Sequence, residues 1–233
     1  MRAFHHRRDL RRPARNLHRR LPVSRPLLLG GGLLVLAFAW APAADALLGH
    51  GFPAHMARHM AVVAIAAPLL ALGLVATRFD PSQRLAWLFP AIPASLLELF
   101  VVWGWHAPGA HDLARTNALA FAAEQASFLI SGLWLWVACF GHAGDQRQQR
   151  SGAGVLAMLL TSIHMTLLGV LLSVATRPLY AAHHHGGDAL QGQHVGGIIM
   201  LLVGGAVYLA GGVTLAARLL RAAPERAERG ATP

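Results

Sequence analysis

Residues 55–77 read HMARHMAVVAIAAPLLALGLVAT. Beyond Met60 the stretch is apolar almost without interruption, and its length matches the ~20 residues that a helix needs to cross a bilayer. Five further apolar stretches of similar length surround it, at Pro26–Ala43, Leu85–Trp105, Asn117–Phe140, Ala153–Thr176 and Gln193–Leu220. Turn-forming or charged connections separate them, including Arg78–Arg84 and His106–Thr116. The expected fold is therefore all-α, a polytopic transmembrane helical bundle of about six helices. It would occupy residues 26–220, between an Arg-rich tail at 1–25 and a short tail at 221–233. Composition agrees: 13% of residues are charged, against about 25% in soluble domains. The first stretch is the shortest and carries Gly30–Gly32. Ala41–Ala46 after it resembles a signal-peptidase site, but the expectation is a retained helix.

The net charge of +10 is carried by 20 basic residues, all of them Arg. Nine precede Pro26 and four follow Ala217, so no basic patch with interleaved aromatics arises, and nucleic acid is not an expected partner. The charge instead reports topology. If both termini are cytoplasmic, the inner connections hold Arg78, Arg84, Arg147 and Arg150, and the outer ones hold only Arg58, Arg115 and Arg177. Such alternation is what the positive-inside rule demands. The single cysteine, Cys139, excludes an internal disulfide and any paired-thiolate metal site.

The same topology sorts the histidines. His5, His6, His18 and His142 fall inside and His164 lies mid-membrane. His50, His55, His59, His106, His111, His183, His184, His185 and His194 fall at the outer face. The charge count uses no histidine, so the two patterns are independent. The sharpest feature is His55-Met56-Ala57-Arg58-His59-Met60: residues four apart share a helix face, so His55 and His59 can reach one ion, and Met56 and Met60 repeat the spacing. Imidazole with thioether suits Cu(I) better than zinc or magnesium. His106 closes the third stretch beside Trp103 and Trp105, and Asp112 can orient His111. Glu98 and Glu124 each lie about seven residues inside the outer end of a stretch, roughly 10 Å deep. A carboxylate there needs a partner, a proton or a polar cavity, so both are candidates to balance a buried cation. The paired glycines Gly196-Gly197, Gly204-Gly205 and Gly211-Gly212 read as helix packing.

No Ser-His-Asp set, nucleotide-binding glycine loop or HExxH motif occurs, so no enzyme is expected. The residues alone leave other functions open. His59 with His106 or His164 fits bis-His haem ligation in a b-type membrane cytochrome. Glu98, Glu124 and His164 fit a proton or cation transporter.

Taken in order, the motifs resemble those of the CtaG family of cytochrome c oxidase assembly factors. The resemblance rests on His55-Met56-x-x-His59-Met60 with Pro68-Leu69-Leu70-x-Leu72-Gly73, and on Trp103-x-Trp105-His106-x-Pro108 with Asp112. It continues through Glu124-Gln125 with Phe128, Ser131-Gly132 and Trp136; Leu168-Gly169-x-Leu171-Leu172; Arg177-Pro178-Leu179-Tyr180; and Gln193-His194-x-Gly196-Gly197-Ile198-Ile199-Met200. Gln125 stands where the family pattern has His, His111 where Tyr is usual, Gly192 where Asp is usual and Leu201 where Trp is usual. The resemblance implies a factor of respiratory-chain biogenesis in the bacterial inner membrane, acting on cytochrome c oxidase subunits, alongside other copper chaperones and in contact with lipid. It also implies that copper, as transiently held Cu(I), is the cargo. The expected ligands are His55 and His59, with Met56 or Met60 as a soft third, and His106 and His194 from facing helices. Glu98, Glu124 and His164 would supply the supporting charge.

Overall fold

The computed structural model describes residues 24–49, 51–141, 146–180 and 189–230. Among these the chain is helical, with no strand. Helix α1 (Arg25–Trp40) and the short α2 (Pro42–Leu48) come first. Then α3 (Phe52–Met60), a π-helical segment (Ala61–Ala66) and α4 (Ala67–Leu74) form one continuous rod. The four-residue α5 (Pro81–Arg84) and a 3-10 turn (Ala86–Leu88) lead into α6 (Ala91–Trp105). Helices α7 (Pro108–Thr116), α8 (Ala118–Phe140), α9 (Gln146–Ser173) and α10 (Ala189–Gly230) complete the bundle. Each of the six apolar stretches forms a helix. Four spans are long and apolar enough to cross a membrane: Phe52–Leu74, Ala118–Phe140, Arg150–Ser173 and Ala189–Arg221. Helices α1 and α6 are shorter, at 16 and 15 residues, or about 23 Å of axis at 1.5 Å per residue.

The surface pattern is inverted relative to a soluble protein. Leu34, Phe100, Leu119 and Leu202 are exposed, whereas His59, Glu98, Glu124 and Gln193 are fully buried. Lipid solvates the first set, and only partners inside the bundle can satisfy the second.

Prolines fix several boundaries. Pro53 and Pro108 lie in the first turns of α3 and α7, where the missing N–H is no loss. Pro90 caps α6, so the stretch expected to start at Leu85 becomes helical only at Ala91. The π-helical segment has a local cause as well. Its i to i+5 bonding continues as far as Ala67 N–H to Val62 O. The next such bond, to Val63 O, would need an N–H from Pro68, which has none. The Tyr208 hydroxyl of α10 approaches Val63 O instead, at 3.4 Å.

Small residues let the helices close on one another. A Cβ on Gly197 of α10 would lie 2.7 Å from the Gly169 carbonyl oxygen of α9, so these backbones touch. Gly32 and Gly73 admit Leu70 and Leu29 where α1 meets α4. The glycines read as packing positions serve as packing positions.

The two ends of the bundle differ in chemistry. At one end Arg25 donates to Ala76 O and Arg150 to Ala86 O. Here the turn after α4 is held by Asp80, which accepts from Ala76 N (2.8 Å), Ser82 N (2.9 Å) and Ser82 Oγ (2.6 Å). At the other end stand His55, His59, His106 and His111, all buried. One expectation is corrected at this end: His106–Thr116 is not merely a connection but contains α7, which turns His111 inward and packs on α8.

Candidate metal centre

His55 and His59 lie on the same face of α3, as their spacing demands, and that face looks toward α7, α8 and the end of α6. The His55 and His111 rings stand edge to face at 4.7 Å between centroids, and His59 and His106 at 5.2 Å. His55 and His106 are 6.3 Å apart, so the four rings form a continuous chain. Glu124 of α8 closes one end of it, with Oε1 3.9 Å from His55 Nε2. His55, His111 and Glu124 each offer one ligand atom, all lying within 4.8 Å of one another. A modest inward movement would bring these atoms to the ~2.0–2.2 Å distances of metal–nitrogen and metal–oxygen bonds.

The electrostatics are equally specific. Glu124 Oε2 accepts from Arg115 Nη2 at 2.7 Å and from Gln125 Nε2 at 3.2 Å, while Gln125 Oε1 accepts from Trp40 Nε1 at 3.2 Å. Glu124 Oε1 has no hydrogen-bond partner among the described residues. His106 Nδ1 lies 2.6 Å from Val102 O. A carbonyl only accepts, so Nδ1 carries the proton and Nε2 presents its lone pair. Burial pushes His106 down to about 4, partly offset by the Val102 bond, so the ring is neutral at pH 7. Nε2 of His106, Nδ1 of His55 and both ring nitrogens of His59 are buried without a hydrogen-bond partner among the described residues. Buried polar atoms are normally paired, so these unpartnered nitrogens make the cluster a candidate ligand site. Aromatic rings close it: Tyr180 stacks on Phe52 at 4.5 Å, lies 4.6 Å from His111, and donates to His106 O at 2.7 Å.

The remaining expected residues lie elsewhere. Met56 and Met60 are fully buried but occupy the adjoining face, toward α10. A Cβ on Gly196 would meet Met56, and one on Gly204 would lie 3.7 Å from Met60 Sδ. His194 is half-buried, and its Nε2 lies 2.8 Å from Ala175 O; no ring contact ties it to the four-histidine chain. Its neighbour Gln193 fastens the segment after α9, accepting from Leu179 N at 2.7 Å. Glu98 belongs to another cluster, where its Oε1 accepts from the Tyr208 hydroxyl at 2.5 Å. Nearby, Ser95 Oγ lies 2.8 Å from Thr161 Oγ1. His164 is buried on α9, with neither ring nitrogen bonded among the described residues. His50, His142 and His183–His185 lie outside the described residues.

Two participants were not among the expected ligands or balancing charges. His111 stood in an apparent connection, signalled by its place among the outer histidines and by Asp112 beside it. Arg115 counted only toward topology. The amphipathic order of residues 108–116, with His111 and Ala114 buried and Pro108 and Gly109 exposed, is the signal that would have found α7.

Comparison with known proteins places residues 6–222 in a single match, to the family model described as cytochrome c oxidase caa3 assembly factor (Caa3_CtaG). No curated protein matches the chain. No solved structure matches it.

Proposed function

The chain belongs to the caa3 cytochrome c oxidase assembly factor family, and from that membership we propose that it receives Cu(I) at the non-cytoplasmic face of a bacterial inner membrane and passes it to the oxidase. His55, His111 and Glu124 form the receiving site. The observation that carries the reading is the buried grouping of these three ligand atoms within 4.8 Å, beside a further imidazole with an orphaned nitrogen. The imidazoles suit copper, and the carboxylate balances the charge of the ion. Arg115 neutralises Glu124, so an incoming ion displaces one cation with another and the carboxylate is not left bare. The positive-inside distribution of Arg supports placing this end outside the cytoplasm. Handing the ion on then requires docking to an oxidase subunit whose own ligands bind it more tightly.

The haem alternative is less well supported. The His59 and His106 rings are tilted by 61° at 5.2 Å, and Phe128 lies 4.0 Å from His59. Phe128 occupies space that a porphyrin plane between the two rings needs.

The test is made in cells that depend on this factor. With His55→Ala combined with His111→Phe, the protein should accumulate normally while the oxidase retains its haem and loses copper and activity. Full oxidase activity with the double variant would refute the proposal.

A further inference from the structure

The receiving site uses His55, His111 and Glu124, which leaves His59 and His106 to be explained. Both rings are buried, and His59 is completely inaccessible. Neither nitrogen of His59 has a hydrogen-bond partner among the described residues, nor has Nε2 of His106. An imidazole that only filled space here would be worse than a leucine of similar size, because its polar atoms are desolvated without return. His106 is moreover prepared as a ligand. Its Nδ1–H is anchored on Val102 O at 2.6 Å, which fixes the tautomer and the ring plane and leaves Nε2 free, the arrangement typical of metal-bound histidine.

Resting on the copper reading above, we propose that His59 and His106 form a second, deeper metal site that takes Cu(I) from the receiving site and holds it between two imidazoles. His59 lies one helical turn beyond His55, about 6 Å further along the axis. With metal–nitrogen bonds of about 2.0 Å on each side, two imidazoles facing one ion have centroids roughly 6 Å apart. The observed 5.2 Å separation needs only a small outward adjustment. Phe128, 4.0 Å from His59 and 6.5 Å from His106, walls the pair against water. The pair itself contributes no carboxylate. Zinc, which takes four ligands, and Cu(II), which favours a tetragonal set, are poorly served by two neutral donors, whereas Cu(I) accepts two.

The transfer is a ligand exchange and is balanced as written. Bonds from copper to Glu124, His111 and His55 break, and bonds to His59 and to Nε2 of His106 form. Copper remains Cu(I) throughout, so no electron donor or acceptor is needed. Each imidazole acts through a neutral lone pair, so no proton moves. Glu124, once released, returns to Arg115, whose Nη2 donates to it at 2.7 Å. His106 is near both sites, 6.3 Å from His55 and 5.2 Å from His59 by ring centroids, and can bridge the step.

The experiment titrates the full-length protein in detergent with Cu(I) against a chromophoric Cu(I) chelator, and records X-ray absorption of the loaded samples. Wild-type protein should bind two Cu(I), one showing the intense low-energy edge of two-coordinate copper. His59→Leu removes an imidazole that has no hydrogen bond among the described residues, and His106→Asn keeps a donor for Val102 O while deleting Nε2. Each should lose one Cu(I) together with the two-coordinate signature. Glu124→Gln and His111→Phe should keep that signature and lose the other ion. If all four variants lose the same single copper, there is one shared site, and the second-site proposal falls while copper handling stands. If His59→Leu and His106→Asn still bind as wild type does, the proposal also falls. If the wild-type protein binds no Cu(I), both readings fail. Thermal unfolding of each variant separates a lost ligand from a lost fold.

Discussion

Arg115→Gln is the substitution whose consequences run in opposite directions for stability and for binding. Arg115 donates to Glu124 at 2.7 Å, and the carboxylate is fully buried while the Arg side chain is 19% exposed. Removing one partner of a buried ion pair costs about 3–5 kcal/mol. The partial exposure of Arg115 and the hydrogen bond that Gln can still donate reduce this to about 2 kcal/mol. For a chain of this length that corresponds to a fall in Tm of about 4–8 °C. Cu(I) at the receiving site competes with Arg115 for Glu124, so the variant should bind Cu(I) more tightly, by up to about 30-fold. The Tm difference should therefore shrink once both proteins are loaded. Arg115 also lies over the Phe121 ring at 5.2 Å, which offers the displaced guanidinium a resting place. Thermal unfolding with and without Cu(I), together with chelator competition, measures both effects. Weaker Cu(I) binding by the variant would refute the reasoning, since Arg115 would then be positioning Glu124 for the metal instead of competing with it.

Three further outcomes follow from the packing and the turns. Gly197→Val should cost about 3 kcal/mol or prevent folding, because its Cβ would press on the Gly169 backbone; Gly205→Ala, whose Cβ would lie 3.4 Å from Thr166 Oγ1, should be tolerated in the same unfolding assay. Ala76→Gly should stabilise by about 1 kcal/mol in thermal unfolding, since Ala76 is held at φ 58 and a left-handed L-residue costs roughly 1–2 kcal/mol before the entropy of Gly is set against it. Asp80 gives an acid dependence. Burial raises its pKa, but the bonds from Ser82, Ala76 and Gln83 outweigh burial and hold it below the ordinary 3.8. As pH falls the unfolded chain takes up the proton first, so this contribution is complete above 3.8 and disappears as pH drops through the folded value. Acid unfolding curves of Asp80→Asn should lack that part of the slope.

The spans were legible because hydropathy over ~20 residues is a long signal that no local detail overrides. What escaped was short. Helix α7 has nine residues, too few for a hydropathy window, and its polar outer face reads as a connection. The π-helical segment at Ala61–Ala66 was not anticipated either, since its apolar sequence is ordinary. Its visible cause is Pro68 together with a tyrosine 145 positions away in the chain, and that pairing exists only after the bundle has assembled.

The site was legible in depth but not in azimuth. Spacing put His55 and His59 on one face, and so they are. The step from His55 to Met56 is also a rotation of about 100°, which turns the methionines toward the α10 glycines. Glu98 and Glu124 were alike from the sequence, since each is a carboxylate about seven residues below the outer end of an apolar stretch. Their neighbours separate them. Glu124 faces Arg115 and His55. Glu98 faces the Tyr208 hydroxyl, which also reaches the Val63 carbonyl left over by Pro68. Glu98 and Tyr208 thus tie α6, α10 and the π-helical segment together below the histidines. In the proposed function Glu124 exchanges its arginine for an ion, whereas Glu98 holds in register the helix that presents His55 and His59.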